Sequence, residues 1–109
     1  MFASICMFAL LAAPPLAPVG AAEKILAGAK IQAREGAMYT VGYFKIGYPN
    51  GDLPRDQGVC TDVVIRSLRR AGFDLQKLIH EDMKTRFKTY PRREKRPDSN
   101  IDHRRCPNQ

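Results

Sequence analysis

Tryptophan is absent from this chain of 109 residues, cysteine occurs three times and histidine twice. No glycine-rich phosphate loop is present, which excludes nucleotide binding by that device. No paired cysteine knuckle occurs, and Cys60, His80, His103 and Cys106 lack the spacing of a zinc finger, so neither a metal nor another cofactor is expected. Heptads and internal repeats are also missing, which excludes a coiled coil or a solenoid. The apolar run at residues 3–13 is too short to cross a bilayer as a helix.

That run, ASICMFALLAA, is uncharged and is followed by PPLAPVGAAEK, where small residues precede the first charges. The pattern fits a secretory signal peptide cleaved near Ala22, although no Lys or Arg precedes the apolar stretch. The expected organisation is a signal peptide over residues 1–22 and one small domain over residues 23–109, exported to the periplasm or beyond. No membrane span is expected after cleavage. The whole formal charge, +7, lies after residue 22. From Lys84 to Arg105, nine Lys/Arg stand against three acids. Such a basic stretch is either a solvated loop or a face for an anionic polymer. Export favours an anionic envelope polymer as partner over nucleic acid.

Residues 23–36 predict a short helix carrying Ile25, Leu26, Ala29 and Ala33, ended by Gly36 in a left-handed cap. Aromatic and β-branched residues then predict an extended segment over 39–46, followed by turns at YPNGD and LPRDQG. CTDVVIRSLRRAG predicts the clearest helix, with Val64, Leu68 and Ala71 on one face, Val63 and Ile65 flanking it and Gly72 as stop. Asp74 is placed to cap a third helix in which Leu75, Leu78, Ile79, Met83 and Phe87 recur at helical spacing. After Pro91 the chain is charged and proline-interrupted, so residues 91–109 are expected as a basic loop or disordered tail. The sum is an α+β chain with three helices and one short extended segment, which leaves that segment without a pairing partner.

Cys60 opens the second helix. A helix start favours a thiolate through its free N–H groups and its dipole. Gly58 allows a sharp entry into the helix and leaves room above the sulfur. These features suit a nucleophile, but a buried structural cysteine has the same spacing, and a nucleophile also needs a base from elsewhere in the chain.

The segment YPNGDLPRDQGVCTDVVIRSLRRAGFDLQKLIHEDM, then YP at Tyr90–Pro91 and RPDSNIDHRR at 96–105, resembles a bacterial exported family known as domain of unknown function 1287. The resemblance runs over most of residues 25–108. It implies a papain-like, NlpC-like fold, of which this chain carries the N-terminal helical half with most of the sheet missing. It also implies a cysteine hydrolase of amide bonds in cell-wall peptides. Cys60 matches the nucleophile, and Cys60 and Thr61 supply helix-start N–H groups for an oxyanion. Asp102, His103 and Arg104 match a motif without an assigned role. This chain departs from the family in reading YTVGY at 39–43 for Tyr-Asp-Pro-x-Tyr, and in lacking a tryptophan. Members of the family carry a later His-Ile/Val-Gly motif that supplies the base. The chain is therefore expected to be C-terminally truncated and inactive by itself.

Three alternatives stay open. His103 or His80 serves as base within this chain. Cys60 pairs with Cys106 in a disulfide, as an oxidising compartment permits. Or the chain is a non-catalytic basic envelope-binding protein that uses residues 92–96.

Overall fold

The computed structural model describes residues 20–91 and 95–109. Residues 1–19 of the expected signal peptide and residues 92–94 of the basic stretch therefore lie outside the described residues. The architecture is α+β: three helices and a two-stranded parallel sheet. Helix α1 spans Ala21–Glu35, strand β1 Met38–Tyr39, strand β2 Gln57–Gly58, helix α2 Cys60–Arg70 and helix α3 Leu75–Arg86. Single 3₁₀ turns follow at Phe87–Thr89, Asp102–Arg104 and Cys106–Asn108.

The helix ends obey local chemistry. Gly36 stops α1 in the left-handed conformation, its N–H returning to Gln32 O. Asp74 precedes α3, and its carboxylate accepts from Asn50 N–H (2.8 Å) while lying 3.4 Å from Lys77 N. One side chain thus caps a helix and fixes a loop. β1 and β2 pair with Met38 opposite Gln57 and Tyr39 opposite Gly58, extended by Met38 N–H to Asp56 O and Thr40 N–H to Gly58 O. The expected strand over 39–46 is thus shorter and starts earlier. Its partner is the residue pair that feeds straight into α2, a pairing too short to leave a periodic signal.

Polar side chains make up much of the interior. The buried apolar residues are Ala21, Leu53, Ile65, Ile79 and Met83, while Thr61, Asp62, Arg66, Ser67, Gln76, Asp102, His103 and Arg104 are buried as well. On α2 the expected face is displaced: Val63 and Val64 are exposed, and Ile65 is buried together with Asp62 and Arg66. Helices α1 and α2 approach closely where Gly28 lies on Ser67. A Cβ at Gly28 would sit 2.9 Å from Ser67 Cα.

The expected disordered tail is folded. Residues 102–104 pack against α3 and α2 and are among the most buried in the chain. Their composition suggested solvation, but the Arg104 charge is paired with Asp62 of α2 and Asp102 accepts the Asp98 N–H.

Candidate functional site

Cys60 is the first residue of α2, and its thiol is exposed. Val59 enters the helix in an extended conformation (φ −127°, ψ −179°). Its N–H donates to Asp62 Oδ2 at 2.8 Å, so the carboxylate of the third helical residue turns back and closes the helix start. The N–H groups of Cys60 and Thr61, at the first two helical positions, have no intrahelical acceptor. The space at Gly58 differs from expectation. It is filled from the helix side, where a Cβ would meet Asp62 Cβ at 3.2 Å and Arg66 Nη1 at 3.3 Å.

Asp62 is held from the far end of the chain. Arg104 Nε and Nη2 donate to its two oxygens, each at 2.9 Å, with both side chains almost fully buried. Burial alone would raise the Asp62 carboxyl, but the hydrogen bonds from Arg104 and Val59 and the charges of Arg104 and Arg66 outweigh it and hold the group below the usual carboxylate range. Thr61 Oγ1 donates to Arg104 O at 2.9 Å, and the Arg104 guanidinium lies 5.7 Å from the centre of the Phe44 ring. The start of the cysteine helix is thereby built from three segments: residues 58–62, 102–104 and Phe44.

Cys60 borders two cavities. One, of about 420 Å³, lies toward α1 and is lined by Ala29, Gln32, Ala33, Gly58 and Arg66 among others. The other, of about 200 Å³, lies toward Ile101, Arg104 and Cys106. Tyr39, Val59 and Cys60 line both and form the divide. Cys60 and Cys106 thus share a cavity, each as a free thiol.

The two histidines border neither cavity. His103 is 2% exposed, and its Nδ1 is buried without a hydrogen-bond partner. Burial first, and then the Arg104 charge, push its pKa down to about 4. Asp102 is raised by burial and by the nearby Asp98 charge, and it accepts the Asp98 N–H. His80 stacks edge-on against Tyr48 and lines a separate cavity of about 1020 Å³ with Tyr43, Lys95 and Arg96. Among the described residues no group of three or more His, Cys, Asp or Glu side chains is placed to hold a metal ion, and no helix is long and apolar enough to cross a membrane.

Arg66, Asp52 and Gln76 escaped the sequence reading. Arg66 donates to both oxygens of Asp52 and to the carbonyls of Leu53, Pro54 and Gln57, which fastens the loop before β2 to α2. A basic residue directly after the apolar run Val63–Ile65 inside a helical pattern was the available signal.

The turn Asp102–Arg104 closes on the cysteine helix, and one family match covers both segments. Residues 26–109 match the family described as "Domain of unknown function (DUF1287)". This chain belongs to the DUF1287 family. A relative in Escherichia coli (strain K12), "Uncharacterized protein YijF", is 54% identical over 83 residues, covering 74% of this chain and 40% of the relative. The chain therefore spans well under half the length of that relative. No solved structure matches it.

Proposed function

We propose that the chain is the cysteine-bearing part of an exported, papain-like thiol hydrolase acting on amide bonds in cell-wall peptides. The observation that carries this reading is the exposed Cys60 at the first position of an 11-residue helix, between two cavities. In this reading the Cys60 sulfur attacks the amide carbonyl carbon while the N–H groups of Cys60 and Thr61 stabilise the oxyanion. The amine leaves with a proton, and water then cleaves the thioester. In this reading the base that takes the thiol proton is supplied from outside this chain, which is supported by neither His80 nor His103 bordering a Cys60 cavity.

The test is hydrolysis of cell-wall peptides by the chain extended with the remaining segment of its relative. Hydrolysis abolished by Cys60→Ala is the expected result. Hydrolysis that survives Cys60→Ala, or none from the extended protein, overturns the reading. A second reading, a non-catalytic protein that binds anionic envelope polymers, is favoured by Lys95 and Arg96, which line the cavity of about 1020 Å³. Alkylation of Cys60 separates the two, since it stops a thiol hydrolase and leaves charge-driven binding intact.

A further inference from the structure

Between α1 and α2 runs a groove of about 240 Å³, lined by four arginines (Arg55, Arg66, Arg69 and Arg70) and by Asp52 as the one carboxylate. Gln32 and Arg66 line this groove and also the larger Cys60 cavity, so the two spaces are neighbours along one seam. The arginines have unequal duties. Arg66 is committed to Asp52 and the loop carbonyls. Arg69 donates to Gly51 O at 2.8 Å, and its Nε is buried without a partner. Arg55 pairs only with the partly exposed Glu35 and is itself 72% exposed. Arg70 makes no hydrogen bond or ion pair among the described residues.

Asp52 in the lining and Glu35 and Asp74 beside it pair with Arg55, Arg66 and Arg69, which leaves the charge of Arg70 in excess in a concave space, and such a space concentrates anions. The planar guanidinium fork matches a carboxylate through two parallel hydrogen bonds. The volume lies below the ~300–1,000 Å³ of a whole small-molecule site and suits one acidic residue of a longer ligand.

We propose that this groove is a subsite for a carboxylate of the peptide substrate, read by Arg55 and Arg70, with Arg66 as the wall shared with the Cys60 cavity. The proposal rests on the reading of Cys60 as a nucleophile toward peptides and adds to it an acidic residue on the substrate beside the attacked bond.

The experiment uses binding, so it does not depend on turnover. The 109-residue chain is titrated by calorimetry with N-acetyl-alanyl-glutamate, with its diamide and with inorganic phosphate, and Cys60 alkylation by iodoacetamide is timed in each. The acid should bind about tenfold more tightly than the diamide, as charge-assisted hydrogen bonds require. It should also slow Cys60 alkylation, whereas phosphate competes for the groove without shielding the thiol. Arg55→Gln with Arg70→Gln should erase the preference, and Arg55→Lys with Arg70→Lys, which keeps the charge should the first pair fail to fold, should retain part of it. Equal binding of acid and diamide, or a preference that survives the Gln pair, overturns the site. A preference without shielding of Cys60 overturns its role as a substrate subsite. An acid preference with shielding, in a protein that never hydrolyses peptides, upholds the groove and removes only the hydrolase reading.

Discussion

Asp62 and Arg104 lie 42 positions apart and meet in a bidentate ion pair, with both N···O distances at 2.9 Å and side-chain exposures of 2% and 3%. The pair joins the third residue of the cysteine helix to a turn near the end of the chain. The same carboxylate accepts the Val59 N–H, so the pair also sets the geometry at Cys60.

Removing one partner strands the other charge in the interior. Arg104→Ala or Asp62→Ala should destabilise the fold by about 3–5 kcal/mol. Arg104→Lys should recover little of this, because an ammonium cannot reproduce the fork. Urea denaturation measures the loss. Lys77→Ala, which removes an exposed 3.9 Å pair with Glu81, serves as the control and should shift the midpoint little.

Acid should weaken the fold in two stages. His103 has its pKa lowered from 6.5 to about 4 in the folded state by burial and then by Arg104. The unfolded chain therefore binds the proton first, and stability falls as pH drops from about 6.5 toward 4, by about 3 kcal/mol at most. Asp62 is depressed, so its contribution is present above the unfolded value of 3.8 and is lost as pH falls through the lower folded value. Asp102, raised by burial, acts with the opposite sign and offsets part of the loss as it protonates. Urea midpoints at pH 7.5, 6 and 5 should fall in that order, and His103→Leu should flatten the slope. An unchanged slope in His103→Leu would remove the assignment.

What the sequence made legible was local. Gly36 and Asp74 mark helix boundaries through the chemistry of their own turns, and the apolar spacing of Ile79 and Met83 places α3 correctly. The long-range pairings were not legible. Helical periodicity does not mark Asp62 and Arg66 on α2 as buried, because their partners, Arg104 and Asp52, stand in segments that look like loops. The same cause explains the misplaced α2 face and the folded tail. A charged residue becomes interior once its partner is delivered, and hydrophobic periodicity carries no record of that. The family match spans both partners of the Asp62–Arg104 pair without indicating that they meet.

Gln76 should prove as costly to lose as an ion pair. Its Oε1 accepts the Gly51 N–H at 2.8 Å, and its Nε2 donates to Gly47 O (2.8 Å) and Ser99 O (3.0 Å). One buried amide therefore holds the 47–51 turn and the 99 segment on α3. Gln76→Ala leaves three backbone groups without this partner, a loss of about 2–4 kcal/mol at the usual cost of unsatisfied groups. Gln76→Glu keeps the shape but turns an oxygen toward two carbonyls, so it should be no better. Denaturation midpoints and limited proteolysis within residues 47–51 measure both effects.

Gly28→Ala tests how close α1 and α2 stand. Glycine inside a helix is normally a liability, and replacing it with alanine should gain about 1 kcal/mol of helix propensity. Here the added Cβ would lie 2.9 Å from Ser67 Cα and 3.3 Å from Ser67 O, which are backbone atoms that cannot rotate away. The helices must separate, and overpacking of this kind costs about 1–3 kcal/mol. The packing cost should win, giving a net loss of stability. Ser67→Ala should not rescue it, since the clash is with the main chain rather than with the Ser67 hydroxyl, which donates to Val63 O. The separation should also widen the seam that holds Gln32 and Arg66, so Cys60 alkylation should accelerate in the variant. A Gly28→Ala protein that is more stable than the parent, with Cys60 reacting at the parent rate, would mean that α1 and α2 do not touch at this point.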